Sequence, residues 1–176
     1  MIGYRHADPR FPFLWEDSTQ PAARWHAEGE GPVHYFCDTP DGAWAEFLRH
    51  EEITNPEDLL TIRRTLWAVE LVEERSQFVN LPTETLTGGL ETYNTCQEEA
   101  HRLRRRGVTR LIVPSAALIP GGACGWRVDG GLQPGVPRNG QIIVLFGRRP
   151  DITGWPAARE GRPGEELLLR IRHFRR

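Results

Sequence analysis

The stretch VHYFC (residues 33–37) followed by DTPDGAWAEFLRH (38–50) reads as a strand that passes directly into a helix. Aromatic and β-branched residues cluster in the first segment, between the turn-forming EGEGP and the break at Asp38. Thr39 or Asp38 can cap the helix, Pro40 suits its first turn, and Asp41 favours the positive end of its dipole, which predicts a helix over about 40 to 50. Ala43, Trp44, Phe47 and Leu48 form its apolar arc. At about 100° per residue Glu46 lies about 60° from Ala43, at the margin of that arc, where a carboxylate can project into a cleft.

Outward from this unit, Asn55-Pro56-Glu57-Asp58 repeats the capping pattern and opens a second short helix, and LWAVELV (66–72) reads as a strand. A longer helix is expected over about 90 to 106, ending in three arginines before Gly107. RLIVPS (110–115), QIIVLF (141–146) and ELLLRIRHF (166–174) read as strands, with a Gly/Pro-rich loop from 120 to 140. Strands that partly cluster and partly alternate with helices argue an α+β fold. No internal repeat, low-complexity tract or boundary divides residues 1–176, so a single domain is expected.

Apolar content of 39% and charged content of 26% suit a soluble globular protein, and no apolar run approaches the roughly 20 residues of a membrane span. No basic and apolar leader pattern opens the sequence, and Cys37, Cys96 and Cys124 form no C-x-x-C pair, so a reducing, cytoplasmic location is expected, with no membrane partner. All 22 basic residues are arginine. The absence of lysine excludes a P-loop lysine, a Schiff base and a pyridoxal phosphate anchor. Codon usage in a GC-rich genome is the simplest cause of that bias. Charge is uneven: residues 1–99 hold 19 acids and 7 arginines, whereas residues 100–176 hold 5 acids and 15 arginines. A basic half can face an anionic ligand or acidic partner, or consist of solvated helix and tail arginines.

Candidate functional residues are Arg5 in YRH, Arg24 in AARW, Tyr35, Glu46, and Ser115 after Pro114. Two guanidiniums, a phenol and a carboxylate can together bind an anionic nucleotide and stabilise a cationic sugar. Each residue alone has a plainer role: the glutamate solvated, the tyrosine packed across strands, the serine in a turn. Arg5 and Arg24 could pair with Asp8 or Glu28 at the surface, for under about 1 kcal/mol. A zinc site from His26, His34, Cys37 and His50 lacks metal-ligand spacing, so no metal is expected. Cys124, in GGACGW, precedes a Gly-rich loop instead of an activating helix and reads as structural. Neither G-x-S-x-G, G-x-G-x-x-G nor a Walker sequence is present.

The order Arg5, Arg24, Tyr35, Glu46, Ser115 resembles the RES domain, named after its Arg, Glu and Ser. YRH, ARW, HYF with DTPDGAWAEF, Gln97, VPSA and NGQIIVLF carry the resemblance across nearly the whole chain. It implies an ADP-ribosyltransferase-like mixed β-sheet core flanked by short helices. It also implies an NAD-degrading enzyme, typically the toxin of a bacterial type II toxin–antitoxin pair. Characterised members pass ADP-ribose to inorganic phosphate, as NAD phosphorylases, and others are implicated in hydrolysis or protein modification. The expected partner is a DNA-binding antitoxin, encoded alongside, that blocks the cleft with a terminal segment; the toxin itself is not expected to bind nucleic acid. The class alternative is a non-catalytic module that binds through its basic C-terminal half.

Cleaving the bond between nicotinamide and ribose places positive charge on the sugar, which Glu46 would stabilise while holding a ribose hydroxyl. Arg5 and Arg24 suit the pyrophosphate, and one of them could position an incoming phosphate. Tyr35 could stack on nicotinamide with its hydroxyl on a sugar or phosphate oxygen, and Ser115 could donate to the nicotinamide amide or phosphate. His6 stands where the family often has an aromatic, and is expected to stack, hydrogen-bond or titrate near neutral pH.

Overall fold

The strand read at 33–37 is the middle member of a seven-stranded sheet. The structure is a computed structural model that describes residues 1–174. In chain order its strands are β1 (Ile2–Ala7), β2 (Val33–Cys37), β3 (Arg64–Glu70), β4 (Gln77–Phe78), β5 (Arg110–Pro114), β6 (Trp126–Val128), β7 (Leu132–Pro134), β8 (Gln141–Phe146) and β9 (Gly154–Gly161). The helices are α1 (Pro40–His50), α2 (Pro56–Leu59), α3 (Thr83–Thr87) and α4 (Tyr93–Arg104). The sheet runs β4-β5-β8-β2-β1-β3-β9, antiparallel except for the parallel pair β4–β5, and β6–β7 form a separate hairpin. A mixed sheet with few short helices is an α+β architecture. No helix among the described residues is long and apolar enough to cross a membrane.

Period-two alternation separates the sheet's two faces. Val33 and Cys37 of β2, Leu111 and Val113 of β5, and Ile142, Val144 and Phe146 of β8 pack with α1, α4 and Trp25 in the larger core. Phe36, Ile143 and Leu145 point the other way, joining Val69, Leu71, Phe13 and Trp67. Trp25, Phe36 and Leu48 are almost wholly buried, each adding roughly 1.5–3 kcal/mol. Helix α1 forms as its sequence predicts. Thr39 Oγ1 accepts the Gly42 amide at 3.0 Å, Pro40 opens the first turn, and Ala43, Trp44, Phe47 and Leu48 are buried.

Several expectations change. Residues 166–174 are not a strand: Glu165–Arg170 is a 3-10 turn, and only Ile171 makes a bridge, to Leu118. Consecutive leucines fit that turn because Leu167 is buried while Leu169 is exposed to solvent, a partition that alternation does not demand. The strand expected at 66–72 runs from Arg64 to Glu70. The long helix begins as a 3-10 turn at Leu90–Thr92, becomes α-helical at Tyr93, and stops before Gly107, whose φ of 80° is left-handed. The loop at 120–140 contains the β6–β7 hairpin, turning through Gly130 and Gly131 with φ of 63° and 144°. β1 and β9 carry too few alternating apolar residues to be read as strands. β9 tolerates Pro156 because it lies at the sheet edge.

Part of the charge asymmetry is paired across the fold. Arg104 pairs with Glu30, Arg138 with Asp38, Arg149 with Glu74 and Arg170 with Asp41, so C-terminal arginines meet N-terminal acids.

Candidate functional site

A cavity of about 250 Å³ opens where α1 crosses the larger-core face of β1 and β2. Tyr4 and His6 of β1, Tyr35 and Cys37 of β2, and Ala43, Glu46, Arg49 and His50 of α1 line it. Arg24, Tyr93, Pro114 and Ala116 complete the wall. Alternation along the strands and helical spacing along α1 bring these side chains together, since Glu46, Arg49 and His50 are three and four residues apart.

Glu46 is the carboxylate of this cleft, with its side chain 21% exposed. Its Oε1 accepts Ser115 Oγ at 3.1 Å and the Ala117 amide at 3.3 Å, and its Oε2 lies 3.8 Å from His50 Nε2. Ser115 Oγ itself accepts the amides of Ala117 and Leu118 at 3.2 and 3.1 Å, so its proton is directed at Glu46. The serine is 4% exposed and its bonding capacity is filled. It orients the carboxylate; the geometry does not present its hydroxyl to a ligand.

Tyr35 also has a committed hydroxyl. It accepts the Trp25 amide at 3.2 Å and sits 2.8 Å from His26 Nδ1. His26 Nε2 lies 2.9 Å from the Pro21 carbonyl, which only accepts, so Nε2 carries the proton and the Tyr35 hydroxyl donates to Nδ1. Burial raises the Tyr35 phenol and lowers His26, keeping both neutral. The ring of Tyr35 borders the cleft, whereas its oxygen holds the AARWH segment. Gln97 does the same from α4, donating to the Ala23 and His26 carbonyls at 2.9 and 3.2 Å.

Arg24 is drawn into the wall. Its Nη1 donates to Thr85 O at 3.1 Å and Thr92 Oγ1 at 2.7 Å, its Nη2 donates to Gly88 O at 2.6 Å, and the guanidinium stacks 4.7 Å over Tyr93. It makes no pair with Glu28. Arg5 borders the cavity, but alternation sends its side chain to the sheet face opposite Tyr4 and His6. Its register partner is Trp67, and its guanidinium carbon lies 5.6 Å from the Phe36 ring centroid. Among the described residues its buried Nε and Nη1 have no hydrogen-bond partner, and desolvation lowers its pKa to about 10. The sheet therefore turns the expected first arginine fork away from Glu46. His6 does not titrate near neutral pH: burial first, then Arg64, Arg5 and His50, push it down to about 3, so it is neutral near pH 7. Its ring meets Phe47 edge-on at 4.9 Å and its Nδ1 accepts Arg64 Nη2 at 3.2 Å.

The sequence does not mark Arg49 or Tyr93 as site residues, and it offers His50 only within the zinc cluster that lacks metal-ligand spacing. Arg49 is only 2% exposed, donates to the carbonyls of Ala116 and Gly88, and stacks 4.4 Å over Phe174. In the sequence it looks like an ordinary helix C-terminal cation; the available signal was its three-residue spacing from Glu46. The described residues contain no group of three or more His, Cys, Asp or Glu placed to hold a metal ion. His34 faces away from Tyr35, with Nε2 2.8 Å from Glu16, which separates it from His26 and Cys37.

The family model of the RES domain matches residues 3–163, nearly the whole chain. No curated protein matches it.

Proposed function

The chain belongs to the RES domain family, and on that premise we propose that it cleaves the nicotinamide–ribose bond of NAD and passes ADP-ribose to phosphate or water. The supporting observation is the placement of Glu46, a half-open carboxylate aimed by Ser115 and the Ala117 amide into a cleft with arginine in its wall. Nicotinamide departs with the bonding electrons, leaving positive charge shared between the anomeric carbon and ring oxygen. Glu46 stabilises that charge electrostatically and accepts a ribose hydroxyl bond, while phosphate or water adds to the anomeric carbon. The aromatic walls, Tyr35 and Tyr93, exclude water and pack against the flat nicotinamide. The cations near the cleft, Arg24 directly and Arg5 through the sheet, favour the dinucleotide's negative charge. Ser115 acts through Glu46, and His6 supplies a neutral wall.

In this reading the protein is the toxin of a toxin–antitoxin pair, restrained by a DNA-binding antitoxin whose terminal segment occupies the cleft. Transfer to a protein acceptor uses the same bond cleavage and differs only in the final nucleophile. The test is incubation with NAD, with and without phosphate. Nicotinamide release from wild type and its loss in Glu46→Ala support the reading; no release from wild type, or equal release from the variant, removes it. Product analysis identifies the acceptor.

A further inference from the structure

Three guanidiniums stand in a row beside Glu46, joined through two peptide oxygens. Gly88 O accepts Arg24 Nη2 and Arg49 Nη2, each at 2.6 Å. Ala116 O accepts Arg49 Nη1 and, at 3.2 Å, Arg172 Nη1, which also lies 3.5 Å from Ser115 O. Among the described residues none of the three arginines makes an ion pair with a carboxylate. Peptide oxygens supply only partial charge and Arg24 and Arg49 are buried, so the row carries positive charge that Glu46 offsets without a direct ion pair. Desolvation lowers both Arg49 and Arg172, and Arg24 lowers them further, against Glu46. Tyr93 and Phe174 cover one face of Arg24 and Arg49 respectively.

This row runs out of the cleft. Arg49 and His50 also line a second cavity of about 790 Å³, bordered by Arg172 on one side and by Glu52, Glu84 and Glu91 on its rim. The carboxylate of Glu91 at that rim accepts the Gly89 amide at 2.8 Å instead of pairing with the row. Among the described residues no hydrogen bond engages Arg172 Nε or Nη2, so the outermost guanidinium keeps donors for a ligand. Arg172 lies beyond the segment that the family model matches.

We propose that Arg49 and Arg172, backed by Arg24, form an oxyanion subsite where the two cavities meet, taking a phosphate group. This deepens, and rests on, the reading of the Glu46 cleft as the NAD site. The phosphate belongs either to the dinucleotide's diphosphate or to a free phosphate that acts as acceptor. In both cases the anion neutralises the row while the guanidinium fork supplies charge-assisted hydrogen bonds.

Titration calorimetry of the full chain with ADP and, separately, with inorganic phosphate tests this. Arg172→Gln should weaken at least one ligand about tenfold, as loss of a charge-assisted bond predicts. Arg172→Lys should fall between the two, and Arg159→Gln, at an exposed site on β9, should change neither. Loss confined to ADP assigns the diphosphate, and loss confined to inorganic phosphate assigns the free anion. Equal binding by wild type and Arg172→Gln, equal loss in Arg159→Gln, or no binding of either ligand to wild type overturns the subsite. Thermal melts of each variant establish that it is folded, with Arg172→Lys as the conservative replacement. Nicotinamide release is measured apart: its absence from wild type, with Arg172-dependent ADP binding intact, removes the NAD-cleaving reading and leaves the subsite standing.

Discussion

Ser115 Oγ donates to Glu46 Oε1 at 3.1 Å while accepting two backbone amides, so a strand-end serine and a helical glutamate 69 residues apart act as one unit. The two amides fix where the hydroxyl proton points, and the hydroxyl fixes where the carboxylate points. Removing the serine should therefore mimic a displaced carboxylate. Ser115→Ala is expected to lower kcat for nicotinamide release by about tenfold to a hundredfold with little change in KM, as small misplacements of catalytic groups do. Steady-state kinetics on NAD checks this, and an unchanged kcat would show that the pair does not matter.

Glu46→Gln keeps the shape and removes the charge. Release should fall by at least about a hundredfold, the scale of a lost electrostatic stabiliser. Because Gln can still accept the bond from Ser115, thermal stability should change little, and a calorimetric melt beside the rate measurement separates the two effects.

Tyr35→Phe leaves the ring in the cleft wall but strips the link between Trp25 N and His26 Nδ1. Two buried polar groups lose their partner, which costs about 1–3 kcal/mol each at most. Urea denaturation should show this loss, with KM for NAD moving far less. A large KM effect at unchanged stability would instead assign the hydroxyl to the ligand.

Stability should fall with acid. His6 is held down to about 3 and His34 to about 4 in the folded protein, against an ordinary value near 6.5, so the unfolded chain takes up protons first as pH drops. Their contribution is complete above about pH 6.5 and is lost progressively towards pH 3 to 4. Denaturant midpoints measured from pH 7.5 down to 4 should decline, and less so in His6→Phe. Imidazole NMR should show no His6 titration between pH 5 and 8.

Gly3→Ala probes the packing behind the cleft. An added Cβ would lie 2.7 Å from Leu71 Cδ1 and 2.9 Å from Phe36 Cβ, so β1 must shift or the second core must open. Overpacking of this kind costs about 1–3 kcal/mol. A denaturation midpoint equal to wild type would show that the core absorbs the methyl.

Local chemistry written into the chain was enough for β2 and α1. Thr39, Pro40 and Asp41 specify where the helix starts, and the apolar arc of Ala43, Trp44, Phe47 and Leu48 specifies which side is buried, which leaves Glu46 at the margin. Those signals span six residues or fewer and survive without any tertiary partner. β9 and the turn at Glu165–Arg170 have no such signal, because an edge position and a packing surface are properties of neighbours, not of residues.

The functional side chains divide the same way. Composition and order determined the residue types available, including the exclusion of lysine chemistry and the candidacy of Glu46. Which way each one faces was decided by the sheet. Alternation along β1 places His6 in the cleft and sends Arg5 to the opposite face, and pairing across the fold joins four arginines of the basic half, Arg104, Arg138, Arg149 and Arg170, to N-terminal acids. Long-range contacts likewise turned Ser115 from a ligand donor into the positioner of Glu46, and brought Arg49 and Arg172 together through the Ala116 carbonyl. The physical reason is that a hydrogen bond between residues far apart in sequence has geometry set by the packed backbone, to which spacing along the chain is blind.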